Sequence, residues 1–178
     1  MSDLSALLAF AHRLADAAAQ ETLPLFRAAL EIDNKLGEYG FDPVTHADRN
    51  AEAAIRALIG QEFPEHGILG EEFDEKKSSG SGDEFCWVID PIDGTRAFIS
   101  GMASWGTLIA LSQDGVPVLG IMDQPYVGEQ FCAMRGAQTL HVRAGKSTPI
   151  TTRACHTLEQ ATAVTTGPEF LVSPGALA

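Results

Sequence analysis

The stretch from Trp87 to Phe98, WVIDPIDGTRAF, decides how this chain reads. Together with the two residues before it, the run Phe85-Cys86-Trp87-Val88-Ile89 has the length and β-rich composition of a buried strand. The chain must then turn through Asp90-Pro91-Ile92-Asp93-Gly94-Thr95. Pro91 sets its own φ, removes a backbone donor and holds Asp90 extended, so the strand is expected to stop there. Gly94 permits backbone conformations closed to other residues, or close approach of a ligand to the main chain. Asp90 and Asp93 on one rigid turn suit a hard divalent cation, which takes oxygen ligands. A helix starting at Thr95 would aim its first N–H groups at an anion such as phosphate. Taken alone, though, Asp-Pro and Asp-Gly are turn formers, and an isolated DPxDG is more often a turn than a metal site.

Composition narrows the possible partners. The 178 residues can bury one good core and match the size of a single domain. Lys and Arg number 12 against 24 Asp and Glu, a net charge of −12. That balance argues against nucleic acid or an anionic membrane as partner, because either needs a basic face. An acidic protein that handles phosphate esters needs cations to offset repulsion, in agreement with the metal reading of the turn. No stretch approaches transmembrane length, and the apolar residues from Leu4 to Phe10 lack the basic flank and cleavage site of a signal peptide. Cys86, Cys132 and Cys155 are widely spaced without a CxxC pair, and read as reduced thiols of a cytoplasmic protein.

Working outward, residues 3 to about 31 carry apolar positions at helical spacing: Leu4, Leu7, Leu8, Ala11, Leu14 and Ala18, with Pro24 expected to kink or divide the stretch. Asp33 to Gly40 reads as a loop. Phe41 to Thr45 is extended, and Thr45 or His46 can cap a helix running to about Gln61 with Ala51, Ala54, Ile55, Leu58 and Ile59 on its apolar face. Asp48 falls in the first turn of that helix, where the dipole favours a carboxylate in any case. Ile68-Leu69-Gly70 is a short strand leading into Glu71-Glu72, and Phe73 to Asp83 is polar, Gly/Ser-rich and expected to be mobile. After the central stretch come Ser104 to Leu111, a turn at Gln113-Asp114-Gly115, and Val116 to Met122. Gln130 to Met134 and Thr139 to Val142 form a further pair around Arg135-Gly136-Ala137. The pattern predicts an α+β fold with helices packed on a mostly antiparallel sheet. Beyond Ala144 the sequence is weakly patterned, with Ala161 to Thr165 as an expected strand.

WVIDPIDGTRAF resembles the signature of the inositol monophosphatase family, the lithium-sensitive, Mg-dependent phosphatases with the sugar-phosphatase fold. Thr45-His46-Ala47-Asp48 resembles the family's T-x-x-D and Gly70-Glu71-Glu72 its G-E-E, in family order. The resemblance runs from about Phe41 to Phe131. It implies two or three Mg²⁺ per complete site, held by Glu71, Asp90, the carbonyl of Ile92, and Asp93. Such cations clamp a phosphate and lower the pKa of a bound water. It implies that Glu71 and Thr95 orient and deprotonate that water, with Asp48 holding water beside the metals. Asp93 and the N–H groups of Gly94 and Thr95 would meet the substrate, a small phosphorylated metabolite. The family also carries a lysine just upstream of T-x-x-D that points toward the metals, which makes Lys35 a candidate. FDPVTHAD, FPEHGILGEE, DGTRAFISG, WGTLIAL and GVPVLGIMDQP are most similar to the bacterial histidinol-phosphatase branch, and Arg96 is the sharpest local difference from the inositol phosphatases. L-histidinol phosphate is the substrate so implied, with inositol 1-phosphate or a nucleotide 3′-phosphate as alternatives.

The resembling family has a second half with a W-D-x-A-A segment whose aspartate completes the second metal site. Trp87 and Trp105 are the tryptophans here, and neither precedes an aspartate. Residues 1–144 are therefore expected to form the metal-binding layer, the N-terminal layer of the fold. Residues 145–178 would begin a truncated or missing C-terminal layer. One sheet face would then lack its packing neighbour, which favours association, a homodimer included. A truncated chain that binds metal or phosphate without turnover, or that serves as an interaction subunit, is the other reading.

Overall fold

Three helices, nine strands and a 3₁₀ turn at Leu158–Gln160 make up a computed structural model that describes residues 4–29, 32–34, 43–79 and 84–164. Helix α1 (Leu4–Thr22) buries Leu7, Phe10, Ala11, Leu14, Ala15 and Ala18 at the expected spacing. It ends two residues before Pro24, which cannot continue a helix, so the proline terminates the element rather than kinking it. Strand β1 (Ile32–Asn34) pairs antiparallel with β2 (Pro43–Thr45), correcting the loop expected from Asp33 onward over its first two residues. Lys35 lies outside the described residues.

Thr45 caps α2 (His46–Glu62) through a capping box. Its hydroxyl accepts the Ala47 N–H at 3.1 Å, while the Asp48 carboxylate accepts both the Thr45 N–H at 2.8 Å and the Thr45 hydroxyl at 2.6 Å. Strand β3 (Gly67–Gly70) lies parallel to β4 (Phe85–Asp93), and the chain then runs through the five-residue helix α3 (Thr95–Ile99) into a meander. The meander comprises β5 (Gly106–Gln113), β6 (Val116–Gln124), β7 (Glu129–Met134), β8 (Leu140–Arg143) and β9 (Lys146–Pro149). The seven strands form one sheet in the order β3-β4-β5-β6-β7-β8-β9, antiparallel at every pairing but the first. Asp114 and Gly115 both take positive φ, as a two-residue hairpin demands. The sheet also continues across Ala144 and Gly145 into β9.

Three expectations change. Strand β4 does not stop at Asp90 but runs through Pro91 to Asp93, because the register slips between Asp90 and Asp93 and accommodates the missing donor. The segment after Glu72 is tied down in part: Lys76 and Ile68 exchange both backbone hydrogen bonds, and Ser79 N–H reaches Glu65 O at 3.0 Å. Residues 80–83 lie outside the described set. Residues 161–164 carry no strand, and Thr165 is not described.

Helices α1 and α2 cover one face of the sheet. Ile55 and Ile59 of α2 and Leu14 of α1 are packed with Trp87, Ile109, Leu111 and Ile121 from the strands, and Phe10 meets Trp87 edge to face at 5.5 Å. His66, buried beneath β4, accepts the Trp87 indole N–H on Nδ1 at 3.1 Å and stacks on Phe63. Burial pushes its pKa down. The opposite face presents Val88, Leu108, Met122 and Phe131 along a shallow apolar depression of about 530 Å³. A second, smaller cluster joins Phe26, Ala47, Ile92, Phe98 and Trp105. It ties the start of α2 to the bend at the end of β4.

Candidate metal and phosphate site

The bend is held from three sides. Thr107, fully buried on β5, donates its hydroxyl to Pro91 O at 2.8 Å. Ile92 points into the small cluster with Ala47 and Phe98, so its neighbours Asp90 and Asp93 are carried by a buried anchor. Gly94 takes φ 90° and ψ 41°, and a Cβ there would lie 2.9 Å from Ser104 O. Both the left-handed backbone and the close approach require glycine. Thr95 Oγ1 donates to Ile92 O at 3.1 Å, and Gly94 O receives the N–H groups of Ala97 and Phe98. With five residues, α3 is too short for a substantial macrodipole, so any anion here would depend on individual N–H groups.

The parallel pairing of β3 and β4 sets Gly70 beside Ile89, and one residue on brings Glu71 beside Asp90. The two carboxyl groups share a side-chain hydrogen bond. Asp90 is pushed up to about 7, first by burial, then by the Glu71 charge and hydrogen bond, and then by the Asp93 charge. Like charges forced together in this way call for a proton or a cation. Asp90 Oδ1 is buried without a hydrogen-bond partner, an acceptor left for something other than protein. The donors present are carboxylate and carbonyl oxygens, the chemistry of Mg²⁺ or Ca²⁺ rather than of a soft metal. Glu71 and Asp93 are exposed, and among the described residues no three or more His, Cys, Asp or Glu side chains stand close enough together to hold a metal ion between them. The donor chemistry and the orphaned oxygen fit a hard cation at an open rim.

Of the residues expected at the site, Glu71 and Asp90 meet, Asp93 adds only its charge to Asp90, and Ile92, Gly94 and Thr95 form the same bend. Asp48 is buried and holds the start of α2 through Thr45, adjacent to Ala47 in the small cluster. His46 and Arg96 are exposed. Sequence reading missed Thr107, Trp105 and Glu52. Glu52 had a signal: it sits among the buried positions Ala51, Ile55 and Ile59 of α2, with Arg56 one turn on.

Comparison with known proteins joins this geometry to a lineage. The inositol monophosphatase family model matches residues 3–169. The chain belongs to the inositol monophosphatase family. It is 40% identical over 168 residues to a histidinol-phosphatase of Chlorobaculum parvum, covering 94% of this chain and 61% of that protein. A solved structure of an inositol monophosphatase from Zymomonas mobilis is 44% identical, with a TM-score of 0.66 over 88% of this chain and 56% of that one. The extragenic suppressor protein SuhB of Bartonella henselae superposes with a TM-score of 0.73 at 27% identity, over 83% of this chain and 55% of that one. The chain spans a little over half the length of these relatives. Its α+β fold is the family's fold. No helix among the described residues is long and apolar enough to cross a membrane.

Proposed function

We propose that the chain carries the metal-holding layer of a Mg²⁺-dependent phosphomonoesterase of the cytoplasm, acting on L-histidinol phosphate. The observation that carries the reading is the buried, unpartnered Oδ1 of Asp90, a carboxyl that also feels the charges of Glu71 and Asp93. Residues 1–144 make this layer, and the chain from 145 leads toward the second. Glu71, Asp90, Ile92 O and Asp93 hold the cations. When bound, Mg²⁺ neutralises charge on the phosphate and on the departing oxygen.

The protein's own groups divide the remaining work. Thr95 donates its hydroxyl proton to Ile92 O, which leaves its lone pairs to accept a hydrogen bond from a water and orient it toward phosphorus. Glu71, exposed at the rim, takes the proton of that water as it attacks. The N–H groups of Gly94 and Thr95 hold a phosphate oxygen, and Asp93 meets the substrate from the exposed side of the bend. Asp48 steadies water from the start of α2.

Identity of 40% to a histidinol-phosphatase across nearly the whole chain supports the substrate. A specific observation also favours inositol 1-phosphate, the 44% identity to an inositol monophosphatase structure. Release of inorganic phosphate from L-histidinol phosphate, inositol 1-phosphate and a nucleotide 3′-phosphate separates them. Turnover of the first, abolished by EDTA and inhibited by Li⁺, is expected. Turnover that persists in EDTA contradicts the metal mechanism, and saturable Mg²⁺ binding without any turnover leaves the cation site but removes the enzyme.

A further inference from the structure

Glu52 belongs to none of the recognised motifs, yet it is the largest charged side chain in the fully buried set, at 0% exposed. Burying a carboxylate costs several kcal/mol unless every oxygen is partnered. Here both are. Oε1 accepts Arg56 Nε at 2.7 Å, one turn along α2, and Oε2 accepts the backbone N–H of Glu72 at 2.8 Å. Arg56 extends the grip, donating from Nη2 to Phe73 O at 3.2 Å and lying over the Phe73 ring at 5.7 Å. Gly70 completes it: a Cβ at that position would sit 1.8 Å from Glu52 Oε1 and 2.3 Å from its Cδ. The glycine of Gly70-Glu71-Glu72 is thus demanded by the approach of Glu52.

The contacts fall on both sides of Glu71. Gly70 is held by contact, Glu72 by its N–H and Phe73 by its carbonyl, so the backbone is fixed on both sides of Glu71, whose side chain meets Asp90. An apolar residue at position 52 could fill the same space with less desolvation cost, but could not fix one particular N–H. We propose that Glu52 is a positioning residue that aims Glu71 at Asp90, an inference that rests on reading those two as cation ligands.

Calorimetry of Mg²⁺ binding to the purified chain and to Glu52→Gln, alongside metal-free crystal structures of both, tests it. Glu52→Gln keeps the volume but replaces one acceptor oxygen with an NH₂ group. It should unfold cooperatively yet bind Mg²⁺ roughly 10- to 100-fold more weakly, the usual effect of losing a group that orients a ligand. Its crystal structure should show Glu71 parted from Asp90. A lowered melting temperature with unchanged Mg²⁺ affinity would reduce Glu52 to a packing role and overturn the proposal. If Glu52→Gln does not fold, Gly70→Ala keeps the carboxylate but pushes it off the turn, and unchanged affinity there is equally fatal. Should the unsubstituted chain bind no Mg²⁺, the cation reading fails. The positioning role is then decided by the metal-free structures alone, and an intact Glu71–Asp90 hydrogen bond in the variant refutes it.

Discussion

With its pKa near 7, Asp90 is about half protonated at neutral pH, where its unfolded counterpart has long released its proton. Its pKa rises from the ordinary 3.8 to about 7, so the folded chain binds more protons than the unfolded one between those values. Its contribution to stability is therefore present in full below about 3.8 and is lost as pH climbs through about 7. Asp90→Asn removes that loss. In urea denaturation with EDTA present, the variant should be at least as stable as the unsubstituted chain at pH 8, with the difference shrinking toward pH 5. A variant less stable at pH 8 than at pH 5, relative to the unsubstituted chain, would show that Asp90 is not a confined charge. His66 works in the opposite sense, since burial lowers its pKa and its protonation on acidification costs stability; it contributes equally to both chains and cancels from the comparison. Asp90 and Asp93 were legible because a proline and a glycine punctuate the string around them. His66 and Thr107 were not, because their significance lies in what covers them, and burial of a polar group is settled by tertiary packing; Glu52 left a trace in its place on the apolar face of α2.

At the scale of the element, the start of α2 shows one short motif with two uses. Thr45 and Asp48 close a capping box, satisfying N–H groups that the first turn leaves open, while Ala47 between them packs against Ile92 and Phe98 beneath the bend. Thr45→Ala should lower stability by about 1–2 kcal/mol in urea denaturation. Because Asp48 loses the hydrogen bond from the Thr45 hydroxyl in this variant and keeps only that from the backbone N–H, phosphate release should fall by more than the stability change alone explains. Activity unchanged in a fully folded Thr45→Ala would remove Asp48 from the site. The helix boundaries and the Asp114-Gly115 hairpin could be read from caps and turn residues. Strand β1 escaped because three residues carry no period, and β4 was cut short because Pro91 normally ends a strand; here a register slip and the Thr107 hydroxyl accommodate it.

At the scale of the molecule, the described residues lay two helices on one face of a mostly antiparallel sheet, and no described element covers the second face. On that face Val88 and Met122 remain 41% and 39% exposed beside Leu108 and Phe131. Contiguous apolar surface of this kind favours association, and it is the surface available to the expected homodimer. Met122→Lys combined with Val88→Lys should reduce the mass seen by sedimentation toward that of a monomer, with little change in melting temperature; association unaffected by both substitutions would move the contact elsewhere. Apolar runs bounded by turn residues along β4 to β7 made the sheet readable, but which face the helices take depends on contacts distant in sequence. The most direct measurement is calorimetric titration of Mg²⁺ into the metal-free chain at pH 7, in two buffers of different ionisation heat. Saturable binding with release of a fraction of a proton is expected, because Asp90, about half protonated at this pH, must give its proton up, and both heat and proton release should vanish in Asp90→Asn. No saturable heat at millimolar Mg²⁺, or binding that Asp90→Asn leaves intact, would contradict the claim that these carboxylates are gathered to hold a cation.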